Sequence, residues 1–311
     1  MTHSQCSTGG GDDTRTRREL ATFVRYPTAG MRAPAIADRS EERRDGFAIE
    51  HLAWTNEFGE TVRALLVRPL GKGPHPAVLY CHAHGGRYEV GLDELLGGRP
   101  SLISPYGPFL AKAGFAALCV EMPAFGTRQA PGESARAKER LWFGDTLLGA
   151  MLRDLGAGLA HLKERSDIDR GRIAALGLSM GATHAFWMGA LEPSINRVAH
   201  LCCYADLATL IRLGQHDRHG HYMTVPGLLN HFPTGCICAL IAPRPQLIGL
   251  GYQDPLTPRE AVKTALAQTR SDYKAAAVPE RLVVIEHDDT GHVETPAMRD
   301  GVLRFLQEMR S

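Results

Sequence analysis

The sequence predicts an α/β fold built on a mostly parallel, doubly wound sheet with an antiparallel hairpin at its N-terminal edge. Short apolar runs alternate with helical patterns from residue 77 onward. The apolar runs are continuous rather than alternating, which is typical of strands that are buried on both faces of a parallel sheet. The third observation is the succession of a strand, a serine between two glycines and a helix at residues 172–185.

The composition is that of an ordinary globular protein. The 311 residues are 44% hydrophobic, and we find no internal repeat and no linker. Residues 1–18 are rich in glycine, serine, threonine and charge, so we predict a disordered leader there. Residues 19–311 are then a single domain, with lid-like insertions near residues 84–103, 123–143 and 206–242.

Charge and hydropathy exclude several classes of partner. A net charge of +1 gives no electrostatic reason to bind nucleic acid or an anionic membrane surface. No apolar run approaches a membrane span, and the first residues lack the apolar core of a secretory signal. The seven cysteines are odd in number and several lie in strand-like runs. They indicate buried, reduced thiols, and we expect a cytoplasmic protein.

The N-terminal half of the predicted sheet begins with a hairpin. Two β patterns at Phe47–Thr55 and Val62–Pro69 flank a glycine-containing loop. Buried strands follow at Ala77–Cys81 and Phe115–Val120, with a helix at Tyr106–Lys112 between them. Residues 19–46 have little periodicity, and we expect them to wrap around the core.

The second half repeats the alternation of strands and helices. Leucine and methionine recur at helical spacing over residues 143–165. Two further helices are predicted to begin at Thr257-Pro258, as a capping box with proline in the first turn, and at Thr295-Pro296. The predicted strands of this half are Ile173–Leu178, Val198–Tyr204, Gln246–Gly251 and Leu282–Glu286.

The stretch Gly177-Leu178-Ser179-Met180-Gly181 is predicted to be a nucleophile elbow. A serine hydroxyl can stand clear of both elements only if the strand-to-helix turn is very sharp. Such a turn brings the positions two before and two after the serine together, so neither can carry a bulky side chain. The start of the helix directs backbone N–H groups at the reaction centre.

An acid and a base for Ser179 are expected after later strands, since reactive groups collect at the carboxyl ends of a parallel sheet. Asp254 and His292 follow the last two strands, and the chain order Ser, Asp, His is that of α/β-hydrolases. We therefore predict His292 as the general base and Asp254 as the residue that orients it. Asp206 is the alternative acid and His287 the alternative base.

An oxyanion hole needs two backbone donors. One is predicted to be the N–H of Met180. The other is expected from the loop after Ala77–Cys81, with His84 as the first choice and Ala83 as the second.

No metal or cofactor is predicted. His82 and His84 form an H-x-H pair, but no third ligand accompanies them in the sequence. For the histidines of residues 216–221 a solvated or pocket-lining loop is favoured over a metal site. The candidate substrate-binding residues are Arg87, His219 and His221. Two more arginines of the insertions, Arg128 and Arg218, are further candidates for binding a substrate carboxylate, although solvated surface positions are commoner for arginine.

The ordered set of motifs resembles the α/β-hydrolase superfamily, and within it the dienelactone-hydrolase-like and acetyl-xylan-esterase-like branch. The resemblance covers most of residues 60–310 and implies the α/β-hydrolase fold and hydrolysis of a carboxylic ester without a cofactor. It is carried by PAVLYCHAHGG, GFAALCVEMPAFGTR, DIDRGRIAALGLSMGA, HGHYMTVPGLLNHF, ALIAPRPQLIGLGYQDPLTP and TGHVET.

Two positions depart from that pattern. Dienelactone hydrolases carry a cysteine nucleophile where this chain has Ser179, and the usual His-Gly of the oxyanion loop is His82-Ala83 here. The sequence thus predicts a serine esterase that acts on a small-molecule ester through an acyl-serine intermediate. An amidase or peptidase, a ligand-binding homologue with little turnover, and an acyltransferase stay open as alternatives. The oligomeric state and the natural acyl and alcohol groups are not encoded in any pattern we recognise.

Overall fold

One nine-stranded sheet organises the part of the chain that the computed structural model describes, residues 13–310. The strand order is β1-β2-β3-β5-β4-β6-β7-β8-β9. The strands are β1 Asp38–Arg44, β2 Phe47–Thr55, β3 Thr61–Pro69, β4 His75–Cys81, β5 Ala116–Val120, β6 Ile168–Leu178, β7 Arg197–Leu201, β8 Gln246–Gly251 and β9 Leu282–His287.

The sheet changes from antiparallel to parallel at the boundary between β3 and β5. β1, β2 and β3 pair antiparallel, and β3 also pairs antiparallel with β5. Every pair from β5 to β9 is parallel. The predicted fold class, a mostly parallel sheet with an antiparallel N-terminal hairpin, is confirmed.

Helices cover both faces of this sheet and create two apolar cores. One face packs against α1, α5, α6, α8 and α9, and the other against α2, α3 and α10. The helices are α1 Asp13–Phe23, α2 Glu94–Gly97, α3 Tyr106–Lys112, α4 Glu133–Trp142, α5 Leu147–Glu164, α6 Met180–Leu191, α7 Leu207–Arg212, α8 Thr234–Ala239, α9 Arg259–Ala275 and α10 Pro296–Gln307.

The long apolar patterns predicted their elements well. The hairpin of β2 and β3 and the helix α3 lie where the sequence places them, within one residue. α10 begins at Pro296 with Thr295 as its cap, whose hydroxyl accepts a hydrogen bond from the N–H of Met298. β7 is shorter than predicted, because Cys202 takes a left-handed backbone with φ of 55° and ends the strand.

Two predictions for the N-terminal region were incomplete. The predicted disordered leader extends to residue 18, but the described part of it, from Asp13, is the beginning of α1. Leu20 and Ala21 of α1 are buried, and the guanidinium of Arg17 donates to the carbonyls of Ala190 and Leu240. These tertiary contacts stabilise a helix whose own composition is polar. Residues 1–12 lie outside the described residues.

The other omission is β1, within residues 19–46, where no strand was predicted. All of its residues except Ser40 are charged, and most are exposed, because an edge strand has one neighbour and needs no apolar face. α9 also begins one residue later than expected. Pro258 stands at its cap position, and the predicted capping bond from Thr257 does not form.

The carboxyl ends of the parallel strands form one edge of the sheet, where the predicted insertions lie. Residues 84–103 contain a 3₁₀ turn and α2, residues 123–143 contain α4, and residues 206–242 contain α7, three 3₁₀ turns and α8. None of the helices within residues 13–310 is long and apolar enough to cross a membrane.

Candidate active site

The strand-to-helix turn at Ser179 has the geometry of a nucleophile elbow. β6 ends at Leu178, α6 begins at Met180, and Ser179 between them has φ of 59°. A Cβ added to Gly177 would lie 2.2 Å from the carbonyl oxygen of Gly181, and one added to Gly181 would lie 1.9 Å from that of Cys81. Both glycines are thus required by the close approach of backbone to backbone.

A continuous chain of hydrogen bonds joins Ser179 to His292 and Asp254. Nε2 of His292 lies 2.9 Å from Oγ of Ser179, and Nδ1 lies 2.6 Å from Oδ2 of Asp254. Asp254 is 3% exposed, and its other oxygen accepts the N–H of Leu256 at 2.8 Å. A buried carboxylate on Nδ1 leaves Nε2 free to accept the serine proton.

Asp254 and His292 reach Ser179 because the loops after β8 and β9 leave the same sheet edge as the elbow. The two alternatives of the sequence analysis have other partners. Asp206 caps α7, and its Oδ1 accepts from the N–H and the hydroxyl of Thr209. His287 lies at the end of β9, where its Nε2 is 2.9 Å from the hydroxyl of Thr295.

The two backbone donors predicted for the loop after β4 differ in their hydrogen-bond partners. The N–H of Ala83 donates to both carboxylate oxygens of Glu94, at 3.0 and 3.1 Å, so it is not free to bind an oxyanion. Among residues 13–310 we find no hydrogen-bond acceptor for the N–H of His84 or of Met180. Of the two choices for this loop, the geometry favours His84.

Comparison with known proteins decides the family. The family profile "Dienelactone hydrolase family" matches residues 62–292. The chain belongs to the dienelactone hydrolase family. This membership makes it an ester hydrolase, and the sequence-based prediction is confirmed at that level.

Two relatives and one solved structure illustrate how far the similarity extends. The Bacillus subtilis protein YtaP, whose name gives it as a hydrolase without a substrate, is 36% identical over 87% of this chain and 90% of its own. Esterase FrsA of Klebsiella pneumoniae is 26% identical over 79% of this chain but only 58% of its own length. Acetyl xylan esterase 1 from Thermoanaerobacterium sp. shares the fold, with a TM-score of 0.69, 15% identity and coverage of 96% and 94%.

This family member tolerates Ala83 in place of the usual glycine for a simple reason. Its methyl group is 1% exposed and lies within one of the two apolar cores. Its backbone is not left-handed, so the conformation does not require glycine. The position does not narrow the candidate oxyanion hole.

The histidines of the H-x-H pair point to different partners. Burial lowers the pKa of His82 to about 3, so its neutral ring donates from Nδ1 to the carbonyl of Ala83 and accepts the N–H of Met122 at Nε2. Nε2 of His84 lies 2.9 Å from the carboxylate of Glu133. Within residues 13–310 no cluster of three or more histidine, cysteine or acidic side chains is placed to hold a metal ion.

The candidate substrate-binding side chains are spread over the insertions. Arg87 is exposed and pairs with Glu89, while His221 is exposed. His219 is half-buried, and its Nε2 is 3.0 Å from the carbonyl of Leu256 in the Asp254 loop. Burial lowers the pKa of His219.

The two remaining arginines of the insertions differ in their surroundings. Arg218 is exposed, with Nη1 3.4 Å from the carbonyl of Pro255. Arg128 is not a surface residue. It is 5% exposed and pairs with Glu60 and with Asp154 at 2.7 Å, which joins α5 and the β2–β3 hairpin to the second insertion.

A small apolar pocket lies between α5, α6 and the third insertion, and Ser179, Asp254 and His292 are not among the residues that line it. Thr183, one turn after Ser179 on α6, forms part of its wall together with Cys203 and His219. The other lining residues come mainly from the third insertion, α5 and α6: Leu148, Phe186, Trp187, Ala205, Leu207, Leu210, Met223, Leu228, Thr234, Ile237 and Thr257.

The sequence analysis missed three buried charged residues that contact the loops around the candidate site. Glu94 and Arg99 form an ion pair beside the loop that follows β4, and Glu133 pairs with His84 across two insertions. They lie in segments with little periodicity, so pattern analysis does not single them out. The one available signal was their occurrence inside insertions that the fold places beside the elbow.

Proposed function

We propose that this chain is a serine esterase that cleaves a carboxylic ester through an acyl-Ser179 intermediate. The observation that carries the proposal is the hydrogen-bonded chain from Oγ of Ser179 through His292 to the buried Asp254. Family membership supports ester hydrolysis, and the elbow geometry supports serine as the nucleophile.

Acylation follows from the positions of these three side chains. Oγ of Ser179 attacks the ester carbonyl carbon while Nε2 of His292 takes the hydroxyl proton. The carbonyl oxygen becomes an oxyanion, and the N–H groups of Met180 and His84 are the proposed donors to it. The tetrahedral intermediate then expels the alkoxide, which receives the proton from His292 and leaves as the alcohol.

Deacylation repeats the same steps with water. His292 removes a proton from a water molecule, and the hydroxide oxygen attacks the acyl carbon. Collapse of the second tetrahedral intermediate releases the carboxylic acid and returns the proton to Oγ of Ser179. Asp254 accepts a hydrogen bond from Nδ1 throughout and stabilises the imidazolium that forms in each half-reaction.

The insertions are proposed to form a lid over the site. Glu133 connects the three insertions, because its carboxylate accepts hydrogen bonds from His84, Tyr88 and the N–H of Tyr222.

Labelling with a fluorophosphonate tests the proposal. Attack of Ser179 on phosphorus displaces fluoride and leaves a stable adduct, which intact mass and peptide mapping detect. We expect one adduct on the peptide that contains Ser179, and steady turnover of p-nitrophenyl acetate by the same preparation. Ser179→Ala is expected to lose both, while Ser271→Ala, at an exposed position of α9, keeps both. A folded wild-type protein with neither adduct nor turnover would contradict the proposal.

A further inference from the structure

A buried ion pair, Glu94–Arg99, lies directly beneath the oxyanion loop and contacts its backbone. Glu94 is fully buried and Arg99 is 8% exposed. The two side chains pair with each other, and the hydroxyl of Tyr80 donates to Glu94 at 2.6 Å. Burial raises the pKa of Glu94, although Arg99 and the hydrogen bonds from Tyr80 and from the backbone of Ala83 favour its charged form.

This pair uses three of the four backbone polar groups of Ala83 and His84. The N–H of Ala83 donates to Glu94 at 3.0 Å. Nη2 of Arg99 donates to the carbonyl of Ala83 at 2.7 Å, and Nη1 donates to the carbonyl of His84 at 2.9 Å. The fourth group is the N–H of His84, the proposed oxyanion donor.

Peptide geometry links the bound carbonyl to the free N–H. The carbonyl of Ala83 and the N–H of His84 belong to the same trans peptide, in which they point in opposite directions. Arg99, together with Nδ1 of His82 at 3.1 Å, holds that carbonyl on the buried side. The N–H of His84 is thereby held pointing away from that buried side.

We propose that Arg99 is a positioning residue that fixes the oxyanion-binding N–H of His84. This inference rests on the proposed serine esterase mechanism and extends it to a residue that touches no substrate. A donor held in place before the reaction stabilises the oxyanion without reorganising, and one such donor contributes roughly 10²–10³-fold to kcat.

Gly85 supports the proposal independently. Its φ is 56°, and a Cβ added there would lie 2.5 Å from Nη1 of Arg99. The adjacent Gly86 has a similar φ of 66° but has no atom within 4 Å of an added Cβ. The two glycines share the backbone constraint, and only Gly85 leaves space for the guanidinium.

Kinetics of Arg99 variants on p-nitrophenyl acetate test the role. We expect Arg99→Met to lower kcat about 100-fold with KM changed less than threefold, because the lost interaction forms in the transition state. Arg99→Lys restores part of kcat, since an ammonium can donate to one of the two carbonyls. The control is Arg165→Met, which breaks a comparably buried pair with Glu50 before the elbow strand. It is expected to lose stability but to keep kcat.

The variant Glu94→Gln/Arg99→Met removes the charge that Arg99→Met alone would leave buried, so a folding defect does not prevent the test. Gly85→Ala is expected to displace the guanidinium although both Glu94 and Arg99 are retained, and Gly86→Ala is the matched control. We expect a larger loss of kcat for Gly85→Ala.

Two results would overturn the role of Arg99. One is unchanged kcat in folded Arg99→Met or in the double variant, and the other is an equal loss in Arg165→Met. A wild-type enzyme that neither turns over ester nor labels at Ser179 would instead refute the esterase mechanism, and this inference with it.

Discussion

The side chains of His84 and Glu133, 49 residues apart in the sequence, meet at a distance of 2.9 Å. Burial opposes ionisation of Glu133, but hydrogen bonds from His84, Tyr222 and Tyr88 outweigh it and lower the pKa of the carboxyl group. One buried carboxylate thus holds residues from all three insertions beside the candidate active site.

Replacement of Glu133 should loosen the insertions. Glu133→Gln removes the charge that three donors face, and we expect a loss of about 2 kcal/mol in unfolding free energy. Chemical denaturation measures that loss, and limited proteolysis should cleave the insertions faster than in wild type. Glu139→Gln, at an exposed position of α4, is the matched control. Equal proteolysis rates for the two variants would contradict the prediction that Glu133 holds the insertions together.

Two aspartate variants separate the candidate acids. Asp254→Asn is expected to lower kcat by about 10³–10⁴-fold, because the imidazole loses its orienting carboxylate and takes the wrong tautomer. Asp206→Asn is expected to change kcat less than threefold, since Asn also caps helices well. Steady-state kinetics on p-nitrophenyl acetate give both values. A large loss in Asp206→Asn with activity retained in Asp254→Asn would assign the acid to Asp206.

Acid should destabilise the fold through its buried histidines. Burial lowers the pKa of each of His82, His184 and His200 to about 3. Between pH 6.5 and 3 the unfolded chain therefore binds protons that the folded chain does not, and stability falls as the pH falls. The loss at pH 5 is about 2 kcal/mol for each such histidine.

His200→Gln tests this linkage, because glutamine cannot titrate. Urea unfolding at pH 7.5 and 5.0 should show a smaller loss of stability on acidification in His200→Gln than in wild type. His216→Gln, at an exposed position, is expected to behave as wild type does. The same acid-induced loss in all three proteins would show that His200 does not contribute.

Local patterns were sufficient where a residue's role depends on its neighbours in the chain. The elbow required Gly177, Ser179 and Gly181 at fixed spacing, and the strands required continuous apolar runs. Patterns failed at β1, which is charged because it lies at the edge of the sheet, and at α1, which is polar except where it packs. In both cases the stabilising contacts come from distant parts of the chain.

The fold class and the family could be predicted from the sequence alone, and so could the proposed order of serine, acid and base, because periodicity and spacing are properties of the chain. The proposals that favour Asp254 over Asp206 and His84 over Ala83 rest on the tertiary structure. Each choice depends on which hydrogen-bond partners are already occupied, by Thr209 in one case and by Glu94 in the other. Whether a hydrogen-bonding group already has a partner depends on the three-dimensional structure, and the spacing of residues along the chain does not reveal it.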